Sequence, residues 1–334
     1  MGTAAAPSAR QVGDGPPRRR RASTMLVLLS AALLGPGGGV ASAEAGRDVH
    51  CTAGDASCAT GSPPLLPVYN TVAPGSMTAV CVVSKESELP GLRIALLSIL
   101  LLRPLMRVQL FAFDYVEEAL ADSLSHIVSL LAPDGRVEII RLSSSEGASH
   151  HEYGMLLKTE NFWLACNGEM VLIFQGDTML CRGADVALEA FAEFDYVGAP
   201  FRPGVCPPGH DKERSMCQDD FDKMAANANL SIPIRGVGGN GGLSFRRRSK
   251  MLEIVRRCKH HPFRTWNEDI FFSYPCNDVT VHFPPEEVAR KFSVETGLFH
   301  PAPFGIHKAW AYRSHDEMAQ LAVTCPELLL LMPG

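Results

Sequence analysis

The 334-residue chain has no basic surplus: 31 Lys and Arg stand against 36 Asp and Glu, a formal net charge of -5. A surface that tracks phosphates along a nucleic acid needs clustered cations, so no nucleic-acid partner is expected. Long apolar runs are missing too; nothing approaches the roughly 20 residues that span a bilayer. Neither a CxxC nor an HxxxH spacing occurs, which removes the ordinary zinc patterns, although Cys206 and Cys217 bracket a polar loop containing His210. No internal repeat is visible, and solenoids and propellers are set aside on that ground.

What the N-terminus does contain is a targeting pattern. Arg18–Arg21 precede the apolar Met25–Leu34, Gly and Pro then break the run, and Ala41-Ser42-Ala43 supplies small residues at cleavage spacing. Residues 1–43 therefore read as a signal peptide or signal anchor, with membrane attachment only if that segment is retained. Residues 44–75, rich in Ala, Gly, Pro and Ser, read as a linker or stem. The destination is the secretory pathway: Golgi or ER lumen, or secretion. Ten cysteines and the sequon Asn229-Leu230-Ser231 suit a lumenal chain. Cys51 and Cys58 flank a loop they could close, whereas Cys81 and Cys166 lie in apolar runs as buried thiols.

From Thr78 onward strand-like and helix-like stretches alternate. Strands are expected at Ala79–Val83, Val108–Phe113, Val137–Leu142 and Met170–Gln175, and helices at Leu92–Leu102, Val116–Leu131, Glu152–Cys166 and Ala184–Phe194. Such alternation builds a mostly parallel sheet covered by helices. Residues 203–231 carry no clear period and read as a long surface excursion. A short strand at Gly242–Phe245, a helix at Arg248–Cys258 and the start of another at Glu268 follow.

The most informative run is Val171-Leu172-Ile173-Phe174-Gln175-Gly176-Asp177, a doubly buried strand that ends on a carboxylate. Ligands gather beyond the carboxyl ends of such strands. Asp177 offers hard oxygen to Mg²⁺ or Mn²⁺, and those ions keep open positions for phosphates. Gly236 to Gly241 matches G-x-G-x-x-G by letter, but it comes late, leads into an extended stretch, and lacks the acid about 20 residues on; it is a turn or a close approach to ligand, not a dinucleotide loop. Asn240 within it can contact a sugar hydroxyl or cap the turn. Glu268 and Asp269 head an apolar helix, where acids suit the macrodipole, and either one can serve as a general base. His307 and Lys308 sit in an aromatic-rich segment with Trp310, suited to phosphate. His150-His151 and His260-His261 read as surface features.

Several blocks together resemble a glycosyltransferase-like domain family of unknown function. They are Tyr153–Lys158 with Phe162-Trp163, Asp177 to Cys181, Asp195–Pro200, Gly239–Arg246 with Lys250-Met251, Asn267–Ser273, Phe292–Glu295, Gly305–Trp310 and Cys325–Leu328. The resemblance runs from Thr78 to Leu331 within a domain of residues 76–334. It implies a single GT-A-like α/β domain with a smaller acceptor-side subregion, and transfer of a sugar from a nucleotide-sugar donor to a hydroxyl of a glycan or glycoprotein. By that likeness Lys158, Gln175, Asp177 and Lys308 meet the donor, and Asn240, Gly241, Gly242 and Trp310 the acceptor. Glu268 or Asp269 is the base, while Asp177 and His307 hold Mn²⁺ or Mg²⁺. The family's Asp-x-Asp pair would put a carboxylate at position 175, where this chain has the amide of Gln175, a weaker ligand. Alternatives on the same fold are a non-catalytic carbohydrate-binding protein and a nucleotide-sugar hydrolase.

Overall fold

The apolar runs at Met77–Val83, Arg107–Phe113 and Met170–Phe174 become strands screened from water on both faces. The computed structural model describes residues 66–143, 150–201, 218–230 and 238–332, all within one unit, Ala59–Gly334. In chain order these form β1 (Met77–Val83), α1 (Leu89–Leu102), β2 (Arg107–Phe113), α2 (Glu117–Leu131), β3 (Val137–Leu142), α3 (His150–Leu157), α4 (Glu160–Ala165), β4 (Met170–Phe174) and β5 (Thr178–Leu180). Then come β6 (Tyr196–Ala199), α5 (Gln218–Asn227), β7 (Asn240–Arg247), α6 (Arg248–Arg257), α7 (Glu268–Ser273), α8 (Glu286–Phe292), β8 (Ser293–Val294), β9 (Gly305–His307) and α9 (His315–Thr324).

The main sheet has the order β3-β2-β1-β4-β7-β6, with β1 to β4 mutually parallel and β7 antiparallel to both its neighbours. The chain is thus an α/β domain with a mostly parallel central sheet. From β1 it winds outward to β3, then returns to the other side of β1 as β4. That reversal leaves a crevice at the carboxyl ends of β1 and β4, where open α/β sheets bind ligands.

A second sheet, β5-β9-β8, stands beyond this crevice. Its antiparallel register sets Thr178 opposite His307, and the Lys308 N–H donates to the Asp177 carbonyl at 2.9 Å. Thr178 and His307, 129 positions apart in the chain, are brought side by side by this pairing. A buried disulfide, Cys181–Cys325, ties β5 to the end of α9, and Cys258–Cys276 joins the regions after α6 and α7. Cys81 and Cys166 are buried free thiols, as their apolar settings suggest. Disulfides of this kind persist in oxidising compartments. No described helix is long and apolar enough to cross a membrane.

Four expectations need correction. The helix expected over 184–194 contracts to a 3₁₀ turn at Leu188–Phe191, because its buried residues Leu188, Phe191 and Phe194 recur every three positions, the 3₁₀ period. The helix expected over 152–166 divides into α3 and α4 where the Thr159 hydroxyl accepts the Phe162 N–H and starts a new helix. Part of the 203–231 excursion is helical: α5 packs Met224 and Ala225 against Phe263, Ile270 and Tyr274. His261 is buried, not superficial; burial pushes its pKa down to about 4, and its neutral ring accepts the Phe263 N–H. The side chains of His150 and His151, the targeting and stem readings up to residue 65, and the Cys206, His210 and Cys217 cluster lie outside the described residues.

Candidate active site

A cavity of about 590 Å³ occupies the crevice, within the size range of small-molecule sites. Its floor comes from the ends of β1 (Cys81 to Ser84) and β4 (Gln175 to Asp177). Its walls come from the start of β7 (Asn240, Gly241, Gly242), the head of α7 (Asn267, Glu268, Asp269) and the segment His307, Lys308, Trp310. Ten of the eleven site residues expected from sequence therefore share one cavity. Lys158 does not; it is almost fully buried, and its Nζ donates to the carbonyls of Arg264 and Trp266. That ammonium fastens the loop before α7, away from the residues that line the cavity.

On one side of the cavity lies a charged row. His307 Nε2 is 3.2 Å from Asp177 Oδ1, and its Nδ1 is 3.2 Å from Glu295 Oε1. Burial alone would lower the imidazole pKa, but the carboxylates at both nitrogens overcome it and raise the value to about 10. For Asp177, burial works upward, yet the hydrogen bond and charge of His307, with Lys308 behind, hold the carboxyl below its ordinary value. Lys308 takes a left-handed backbone conformation (φ 47°), uncommon for a residue with a side chain, and sits where the Asp177 carbonyl anchors its N–H. Gly242 is required here, since a Cβ at that position would collide with the His307 ring.

Among the described residues no three His, Cys, Asp or Glu side chains converge on a point that could hold a metal ion. Two do suit one. Asp177 Oδ1 and His307 Nε2 are close enough to share a small divalent cation at bonds of about 2.1 Å, with phosphate and water completing the shell. Glu295 on Nδ1 is the carboxylate partner that orients a ligating histidine.

Across the cavity, two adjacent carboxylates meet different surroundings. Glu268 is buried and pairs with the fully buried Arg246 guanidinium at 2.5 Å, which in turn lies over the rings of Tyr196 and Phe272. Among the described residues no cation forms an ion pair with Asp269. It accepts the Ile270 N–H at 2.8 Å and a long bond from the Gly241 N–H at 3.4 Å. Burial, then the charge of Glu268, pushes its pKa up to about 7. Asn240 serves as the turn cap it might have been, for its Oδ1 accepts the Gly242 N–H at 2.8 Å while the residue also lines the cavity. Gly238 and Gly239 adopt positive φ (98° and 107°) and lead into the strand β7, not into a helix, while Gly236 and Val237 lie outside the described residues. Arg246, Glu295 and Tyr153 had no role assigned from sequence; each stands in a block of the resemblance, but nothing local distinguishes it from core.

Residues 136–307 match a family model described as "Protein of unknown function (DUF5672)". The chain belongs to the DUF5672 family. A search of curated proteins gave no match. Among solved structures, this DUF5672 chain is similar to the apo form of the bifunctional glycosyltransferase WbbM, at 12% identity and TM-score 0.44, covering 79% of this chain and 53% of that one. It thus spans about half the length of WbbM. It is also similar to 4-diphosphocytidyl-2C-methyl-D-erythritol synthase from Anaerococcus prevotii (12% identity, TM-score 0.33, covering 59% and 81%). A third is core-mannan synthase A from Aspergillus fumigatus in its Mn/GDP form (8% identity, TM-score 0.39, covering 64% and 75%). Likenesses this distant assign no reaction.

Proposed function

We propose that the protein is a glycosyltransferase that moves a sugar from a nucleotide-sugar donor to a hydroxyl of a glycan or glycoprotein in an oxidising lumen of the secretory pathway. One observation carries this reading: a phosphate-ready row, His307 with Lys308 and Asp177, faces a carboxylate of raised pKa, Asp269, across a single cavity at the sheet's switch point. Glycosyl transfer needs those two ends. Negative charge grows on the departing diphosphate at one, and a proton must leave the attacking hydroxyl at the other.

Asp269 is the better base of the two candidates. Glu268 already spends an oxygen on Arg246 and is nearly closed off, whereas Asp269 is only part-buried and, among the described residues, pairs with no cation. A base is most effective with its pKa near the working pH. Lys308 and the His307 cation face the diphosphate, and Trp310 offers an apolar ring to the acceptor. Asp177 and His307, the latter once its Nε2 has given up its proton, would hold a divalent ion in place of that imidazolium charge, and the ion would act as a Lewis acid on the leaving group.

The assay is release of nucleoside diphosphate from nucleotide sugars with Mn²⁺, with and without glycan acceptors. Acceptor-dependent release supports transfer. Acceptor-independent release supports a hydrolase, and binding without release supports a carbohydrate-binding protein. A carboxylate kept half-neutral at the cavity wall speaks against the last, since a binder has no proton to move.

A further inference from the structure

Tyr153, on α3, is the one cavity-lining tyrosine whose hydroxyl is sealed from solvent and makes no hydrogen bond. The residue is about nine-tenths buried. Elsewhere the fold does not leave buried phenols idle: Tyr196 donates to the Gly239 carbonyl at 2.6 Å, and Tyr274 to Asp222 at 2.7 Å. An unpaired buried hydroxyl is a cost that phenylalanine would avoid with the same ring. A partner that arrives with a ligand removes the anomaly.

Its surroundings say what kind of ligand. The hydroxyl lies within side-chain reach of the Gln175 carboxamide but outside good hydrogen-bond geometry, and near the Glu268–Arg246 pair. Burial, then the charge of Glu268, drives its ionisation far out of reach, so the phenol stays neutral. Gln175 also lines the cavity, two residues before Asp177. The ionised carboxylates Asp177 and Glu268 accept hydrogen bonds only, and Lys308 only donates; Tyr153 and Gln175 each do both. A sugar hydroxyl also does both. A phosphate, which only accepts, gains nothing from the acceptor half of either group.

We propose that Tyr153 and Gln175 form a neutral pair that reads one hydroxyl of the sugar ring carried by the nucleotide donor. The pair explains the amide at position 175. A carboxylate there would add to the negative charge of Glu88, Asp177, Glu268, Asp269 and Glu295 around the same cavity, whereas an amide serves hydroxyl recognition. Tyr153 is then a specificity-determining residue, and Gln175 its partner. The inference rests on the transferase reading, and its test separates the two.

The test is calorimetric titration of the full chain with UDP-glucose, UDP-galactose, UDP-N-acetylglucosamine and GDP-mannose, and with UDP and GDP alone. For a sugar nucleotide that binds the native protein, Tyr153→Phe should weaken binding about tenfold, the worth of one hydrogen bond. Affinity for the parent diphosphate should stay within about twofold, and the melting temperature should change little, because the native hydroxyl makes no well-formed hydrogen bond to lose. A donor deoxygenated at the recognised position should bind native protein and variant equally. Gln175→Leu should show the same selective loss, and the double variant should be no worse than either single one. Unchanged binding of every sugar nucleotide to Tyr153→Phe overturns the pair, as does equal loss for sugar nucleotide and bare diphosphate. If the native chain binds no sugar nucleotide at any sugar, the transferase reading falls first and this inference with it.

Discussion

Glu268 and Asp269 leave the same turn of α7 for opposite environments: one carboxylate locks onto Arg246 at 2.5 Å, and the other faces the cavity with only backbone N–H groups. The charge held on Glu268 contributes to the raised pKa of its neighbour. Glu268→Gln removes that charge and frees Arg246 to attract Asp269, and both changes lower the Asp269 pKa. The acidic limb of the pH–rate profile should move to lower pH in this variant. An unmoved limb would take Asp269 out of the base role.

The raised pKa of Asp269 also has a signature in stability. Its folded value, about 7, exceeds the unfolded carboxyl value of about 3.9, so the folded state holds the proton more tightly. The stabilisation is complete below the unfolded value and is lost as pH rises through about 7. Asp269→Asn keeps the site neutral at every pH. Its stability relative to native protein should therefore be greater at pH 8 than at pH 5, measured by urea unfolding, while turnover falls by roughly 10²- to 10⁴-fold.

Arg246 is fully buried, and among the described residues Glu268 is the carboxylate it pairs with. Arg246→Leu strands a carboxylate in the interior and should cost about 3–5 kcal/mol. The double change Arg246→Leu with Glu268→Gln removes both charges and should recover much of the loss. Chemical denaturation of the three variants checks this, and no recovery would mean that the guanidinium matters through packing on Tyr196 and Phe272 alone.

Asp177 is part-exposed at the cavity edge, so its removal should spare the fold. Asp177→Ala should lower turnover by roughly 10²-fold or more while the circular dichroism spectrum and melting profile stay native-like. His307 keeps Glu295 in that variant and stays in place. Full activity without the carboxylate would remove Asp177 from the donor side.

Much of this arrangement was readable from residues. Strands β1, β2 and β4 announce themselves as largely apolar runs buried on both faces, whereas the edge strand β3 is only partly buried, and Asp177 is conspicuous for following β4. Strand β7 was only half visible: it starts in a glycine turn and ends on Arg246 and Arg247, whose guanidinium groups are neutralised by Glu268 and Asp195 brought from far along the chain. Lys158 looked like a phosphate ligand because no local pattern reveals that two carbonyls, Arg264 and Trp266, wait for its ammonium. The choice between Glu268 and Asp269 was undecidable in sequence for the same reason. It depends on where Arg246 lies, and only the pairing of β7 with β4 and β6 fixes that. Tyr153 carried no signal at all, since a hydroxyl without a partner is a property of three-dimensional surroundings.

The most direct test of the whole account is acceptor-dependent turnover by the native chain. With Mn²⁺ and a panel of nucleotide sugars, we expect nucleoside diphosphate release to rise when a glycan acceptor is added, with a glycosylated acceptor of matching mass appearing at the same rate. Both signals should fall at least about 100-fold in Asp269→Asn. Release that ignores the acceptor, or glycosylated product formed by Asp269→Asn at close to the native rate, would contradict the account.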